Sequence, residues 1–289
     1  MKHGVRIPAF FFVLIGLLLF SFTANSNQLA KSSSSSDQLI TNSSTEDVYE
    51  GPRLRINVPA RELYLYDAND KLVKKYKIAV GRSIFPTPIG RRWMNVIVWN
   101  PWWIPPKSGW AENDKPTPPG PRNPLGPVKM KLNSAIMIHG TSKPSSIGRA
   151  ASHGCMRMHS DQAKELARYI QKSMTELIDA ELFEKYEDQS RRSFHVNLEQ
   201  HVPVDIVYEV VEIKGNKLYV YQDIYYRVKD KAKLIVEKLK EKGYDPEDID
   251  MDYVKSWVKK TNNADVSLNI SKLIAMKHNQ TLVEFAYQQ

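Results

Sequence analysis

Eight prolines fall between Pro101 and Pro124. Proline lacks a backbone N–H and its ring clashes with the preceding turn, so no helix runs through this stretch. A loop this long without regular structure is usually functional. Trp102, Trp103 and Trp110 lie on it. Two readings of them stand: a lid or wall beside a substrate, or aromatic caps on the edge of a core.

On either side the chain alternates with the period of half-buried strands. Leu54, Ile56 and Val58 oppose Arg55 and Asn57, and Leu63 and Leu65 oppose Tyr64 and Tyr66. Asp67-Ala68-Asn69-Asp70 is turn chemistry before a strand over 71–80. Further strands are expected over 93–99, 128–132, 135–138, 202–211 and 217–221, with Lys214-Gly215-Asn216 as a hairpin turn. The pattern predicts an antiparallel sheet built from hairpins. Helices are expected over 160–171, capped by Ser160 or Asp161, and over 173–186. After Tyr226 the pattern turns helical, with 230–242 ended by Gly243 and a helix opened by Asp245-Pro246 that reaches 260.

Lys2 and Arg6 precede an uncharged apolar run from Ala9 to Phe20, too short for an ordinary membrane span and suited to an export signal. The segment 1–26 is either cleaved after Ser26 or kept as a short anchor. Both readings place the rest outside the cytoplasm and limit membrane contact to this segment. Residues 27–50 are rich in Ser, Asn, Thr and Gln and have too little apolar surface to offset ordering, so they form a linker. The formal charge is +9, without a clustered basic stripe carrying stacking aromatics. That excludes a nucleic-acid reading and suits an anionic polymer, an acidic peptide or ordinary solubility.

The single cysteine, Cys155, rules out an internal disulfide. It sits in Ser152-His153-Gly154-Cys155-Met156-Arg157, and His139-Gly140-Thr141 lies upstream. A thiol becomes a nucleophile when an imidazole within reach takes its proton. A glycine before it lets backbone N–H groups face a developing oxyanion. The residues alone leave three chemistries open: peptide-bond cleavage or transfer, a thiol amidase, and a metal site from His139, His153, Cys155 and His159. They also leave His139 and His153 as equal candidates for the base. A buried, unreactive thiol is the bland alternative, and its His-Gly and Met-Arg flanks speak against it. His159, His195, His201 and His278 carry no motif and read as surface histidines.

These segments together resemble the signature of the L,D-transpeptidases, the YkuD-like family: an early His, a loop, then Ser-His-Gly-Cys, an apolar residue and Arg. Val80-Gly81-Arg82, Phe85-Pro86-Thr87-Pro88-Ile89-Gly90, Asn100-Pro101-Trp102-Trp103-Ile104-Pro105-Pro106 and Asn123-Pro124-Leu125-Gly126-Pro127 are similar to family segments as well. The resemblance spans about 54–220 and omits both ends of the chain.

It implies a mainly β catalytic domain, sandwich-like or barrel-like with a few helices, over 51–222, followed by a helical C-terminal extension over 223–289. It implies an exported cell-envelope enzyme, periplasmic where there is a periplasm. The donor would be a peptidoglycan stem peptide, and the acceptor a second stem, the lysine of an anchored lipoprotein, or water. No cofactor or metal is required. Cys155 would be the nucleophile and His139 the proton acceptor and donor, with the Gly140 carbonyl orienting its ring. Gly154, with Cys155, would supply oxyanion N–H groups. Ser152, His153, Arg157 and Arg149 would contact substrate, the arginines through a carboxylate. Non-catalytic wall binding and a secreted thiol hydrolase are the competing functions.

Overall fold

The structure, a computed structural model, describes residues 49–274 apart from 134, 177–178 and 260–263. The expected export segment, nearly all of the linker and His278 lie outside the described residues.

Strands β1 (Arg53–Asn57), β2 (Glu62–Tyr66) and β3 (Leu72–Lys77) form the expected meander. Asp67 closes its second turn by accepting from the N–H groups of Asn69 and Lys71 at 2.9 and 3.0 Å. Then come β4 (Val80–Gly81), β5 (Gly90–Trp99), β6 (Val128–Lys131), β7 (Met137–His139), β8 (Ala150–Ser152), β9 (Met156–Arg157) and β10 (Phe194–Val207). Eight of these make one sheet in the order β3-β2-β1-β10-β5-β6-β7-β9. The sheet is not purely antiparallel. β10 lies parallel to β1, and β9 parallel to β7, because long connections precede both strands.

The sheet curls until its two ends meet. Just past β3, Ala79 exchanges two backbone hydrogen bonds with Arg157 of β9, at 2.8 and 3.0 Å. β4 then runs parallel to β8, pairing Val80 with Ala150 and Gly81 with Ser152. The β9 edge is thereby paired, while β3 keeps β2 as its one strand partner and is mostly exposed. The enclosed core is aliphatic: Leu54, Ile56, Leu63, Ile78, Val80, Met94, Ile97, Met130, Ile138 and Met156 are fully buried.

Helix α1 (Ser160–Met174) buries Ala163, Leu166, Ala167 and Ile170 against this core, one face at helical spacing. Its N-cap is His159, without a side-chain cap; Ser160 is already helical and donates its hydroxyl to the Thr141 carbonyl. Helix α2 (Ala180–Asp188) starts later than expected, where Asp179 accepts from the N–H of Glu181. Trp99 is buried between these helices and the sheet. It stacks on Tyr186 at 5.1 Å, meets Phe183 edge-on, and donates its indole N–H to Gln171 at 2.9 Å. In β10 the polar positions His195, Asn197 and Glu199 are exposed and Val196 and Leu198 buried. The strand therefore begins eight residues before the expected start at 202.

The C-terminal part carries the expected helices α3 (Lys231–Glu241) and α4 (Met251–Lys259), together with strands β11 (Val211–Lys214), β12 (Lys217–Val220) and β13 (Val266–Asn269) in a three-stranded sheet. Val210, Val211, Leu218 and Val220 belong to its own core with Ile235, Leu239, Val254 and Trp257. The buried apolar side chains of residues 210–220 thus join this C-terminal core. Asp230 caps α3 by accepting from the N–H of Lys233. Asp245 caps only a short 3-10 turn; Asp250 accepts from the N–H groups of Asp252 and Tyr253 and opens α4 separately. Arg55 of β1 bridges Glu209 at 2.5 Å and Glu212 at 3.0 Å, tying the appendage to the sheet. Burial pushes the Glu212 carboxyl up, but Lys214, Tyr221 and Arg55 outweigh it and hold the group below its ordinary range.

Trp99→Ala is expected to lower the unfolding free energy by about 3–5 kcal/mol, measured by urea titration followed with far-UV circular dichroism.

Candidate functional site

The parallel pairing of β7 with β9 sets His139 opposite Arg157 and Ile138 opposite Met156. Side chains alternate along strands, so the core takes Ile138 and Met156. His139, Arg157 and Cys155, which immediately precedes β9, share the other face. Cys155 is half-buried, and its thiol donates to the Ala135 carbonyl at 3.5 Å. Burial pushes the thiol up from its ordinary value; the Met137 backbone contact and the Arg157 charge act the other way without reversing it.

His139 is buried at 4 % exposure, and its Nδ1 lies 2.5 Å from the Gly140 carbonyl oxygen. A carbonyl only accepts, so Nδ1 carries the proton. Burial lowers the imidazole to about 4, although the carbonyls of Gly140 and Leu125 favour its charged form. At neutral pH the site therefore rests as a thiol and a neutral imidazole, not as an ion pair.

His153 is occupied elsewhere. Its Nε2 lies 2.6 Å from Nη2 of Arg82, an obligate donor, so this nitrogen's lone pair is taken. Trp110 stacks on the ring at 3.9 Å between centroids and 6° between planes, and Phe85 flanks it at 4.8 Å. Burial, then Arg82 and Arg157, lower its pKa. Arg82 thus sets the surroundings of His153 apart from those of His139. The proline-rich loop is held by Asn123, whose amide donates to the carbonyls of Pro101, Thr117 and Pro118 at 2.9–3.1 Å. Trp110 lies at the site, while Trp102 remains 47 % exposed. The sequence assigned no task to Asn123, Arg82 or Thr87; Arg82 meets His153, 71 positions on, and Thr87 meets Gly154, 67 positions on.

The turn that presents Cys155 is internally braced. Gly154 has φ +111°, a region costly for any residue with a Cβ. Its N–H donates to Ser152 Oγ at 3.0 Å, and that hydroxyl donates to the Cys155 carbonyl at 2.6 Å. Two expectations change. The Gly154 N–H is spent inside the turn, not directed at an oxyanion. Ser152 is buried with its hydroxyl committed, so it braces the turn instead of facing substrate. Arg157 is half-buried near the thiol, whereas Arg149 is exposed on the loop and its carbonyl accepts from the Val80 N–H.

Fold and site together define a mainly β protein built around one thiol and one buried imidazole. The chain belongs to the YkuD family of L,D-transpeptidase catalytic domains, which matches residues 51–196. Over 119 residues it is 39 % identical to a Bacillus licheniformis protein bearing the name L,D-transpeptidase YkuD, covering 41 % of this chain and 59 % of the relative. Over 125 residues it is 30 % identical to the L,D-transpeptidase ErfK/SrfK of Salmonella typhimurium, covering 40 % of each. The chain thus spans less than two thirds of the length of these relatives. Among solved structures, the catalytic domain of an E. faecium L,D-transpeptidase aligns with 55 % of this chain and 98 % of its own, at 15 % identity and a TM-score of 0.34.

Two pH effects are expected. Alkylation of Cys155 by iodoacetamide follows the thiolate, so its rate rises only above the pH of an ordinary thiol, about 8.5. His139 binds its proton less readily folded than unfolded, so stability rises with pH across about 4 to 6.5, by up to about 3 kcal/mol. It is lost as pH falls through that window. Urea unfolding of wild type and His139→Gln at several pH values measures it; the variant's slope is flatter.

Proposed function

We propose that this chain is an exported L,D-transpeptidase of the cell envelope, acting on peptidoglycan stem peptides through a thioester on Cys155. The observation that carries the reading is the β7/β9 pairing, which puts a half-buried thiol and a buried, neutral imidazole, its Nδ1 proton held by Gly140, on one face of the sheet. A neutral imidazole accepts a proton; a protonated one would not.

In the first step His139 takes the thiol proton while sulfur attacks the carbonyl between diaminopimelate and the terminal D-alanine. The imidazolium formed is disfavoured by burial and favoured by the carbonyls of Gly140 and Leu125. It therefore returns its proton readily to the departing amine, and free D-alanine leaves. With the Gly154 N–H committed, the Cys155 N–H is the donor we assign to the oxyanion. Arg157 supplies positive charge beside the sulfur and a partner for a substrate carboxylate. In the second step an amine attacks the thioester, His139 takes its proton, and the proton returns to sulfur as the thioester breaks. A second stem gives a cross-link, a lipoprotein lysine gives an anchored protein, and water gives carboxypeptidase action. His153, stacked under Trp110, shapes the wall of the groove.

The test is intact-mass analysis of reduced protein mixed with a tetrapeptide stem. Wild type gains the mass of an acylated cysteine and releases D-alanine. Cys155→Ala does neither, and His139→Ala slows release by about 10²–10⁴-fold. An unmodified wild type with no D-alanine released would reject the reading.

A further inference from the structure

Tyr225 lies beyond the family match, in the segment after β12, yet its hydroxyl reaches the framework of the cysteine turn. It donates to the Gly81 carbonyl at 2.8 Å and accepts from the Thr87 N–H at 2.9 Å. Thr87 closes the same loop from the other side. Its hydroxyl accepts from the Gly81 N–H at 2.9 Å and donates to the Gly154 carbonyl at 2.8 Å. Thr87 is fully buried. Gly154 is thus fixed at both ends, its N–H by Ser152 and its carbonyl by Thr87, and Cys155 follows it directly.

Tyr225 is itself held in place. Its N–H donates to the Tyr208 hydroxyl at 2.7 Å, which donates to Asp223 Oδ1 at 2.5 Å. The two rings stack at 5.3 Å. Buried Asp223 also accepts from the N–H groups of Arg227 and Val228, at 3.0 and 2.8 Å. A continuous set of hydrogen bonds therefore leads from Asp223 through Tyr208, Tyr225 and Thr87 to the residue before the thiol. The Gly81 carbonyl and Thr87 N–H would lose this partner if the hydroxyl were removed, and an unmet buried group costs more than a bond gains.

We infer that Tyr225 is a positioning residue for Cys155, which extends the acyl-transfer site to a segment that packs on the catalytic core but lies beyond the family match; this rests on the acyl-transfer reading. Tyr225 sets the geometry of the nucleophile from outside the stretch that the family match includes. Small displacements of a nucleophile cost large factors in rate.

The experiment uses the full chain. Tyr225→Phe lowers kcat for D-alanine release about tenfold or more and leaves KM within about twofold, because the groove is untouched. Thr87→Val does the same, and Thr87→Ser, which restores the hydroxyl, recovers most of the rate. The double variant Y225F/T87V loses little beyond the worse single variant, since both act through one turn. Leu239→Ala, in the appendage core, lowers Tm without lowering kcat below the melting range. Iodoacetamide provides a readout that needs no peptide: Tyr225→Phe shifts the rate and pH profile of Cys155 alkylation. A Tyr225→Phe protein with wild-type kcat and alkylation profile, whatever its Tm, overturns the inference. A wild type that alkylates but never releases D-alanine rejects the acyl-transfer reading instead, and the alkylation comparison still decides whether Tyr225 sets the thiol.

Discussion

The reciprocal backbone pair between Ala79 and Arg157 is the constraint on which the site depends. It joins the chain leaving β3 to the short strand β9, and so brings opposite ends of the sheet together. β9 has only two residues and cannot hold itself in place. Its pairing with β7 on one side and Ala79 on the other fixes its direction. That direction decides which side chains face the core and which face away from it. Cys155, Arg157 and His139 fall on the opposite face because Met156 and Ile138 are taken by the core.

Within that frame, burial sets the chemistry. The Arg157 charge favours thiolate on Cys155 and disfavours imidazolium on His139. Here desolvation disfavours both charged forms, raising the thiol and lowering the imidazole. The site thus keeps its proton on sulfur at rest. Such a resting state also limits loss of the thiol to oxidants, which react with thiolate.

Much of this was legible in the sequence, because short-range signals dominate it. Alternation located β1, β2 and the meander, the Gly215-Asn216 hairpin turn preceded β12, and the histidine and cysteine motifs marked residues that share one face of the sheet. What stayed hidden depends on contacts distant in sequence. The difference in surroundings between His139 and His153 rests on Arg82, 71 positions before the latter. The first part of β10 alternates only as far as Leu198, and Glu199-Gln200-His201, where the register shifts, resembles a loop until β5 is laid beside it. The Ser152 hydroxyl turns inward because three residues on is the reach of a tight turn, a fact of backbone geometry that residue identity does not display. Asp250, not Asp245, opens α4, since either aspartate suits a cap and only packing selects one.

β10 carries a further consequence. Within the strand order it joins the meander to the rest of the large sheet, pairing β1 on one side and β5 on the other. The family match stops at residue 196, three residues into it. A fragment cut there would leave β1 and the lower part of β5 with bare edges, two long rows of unpaired amides facing solvent. Such a piece would be prone to strand-to-strand aggregation, so the smallest soluble unit of this protein is set by its central strand and not by the extent of its kinship.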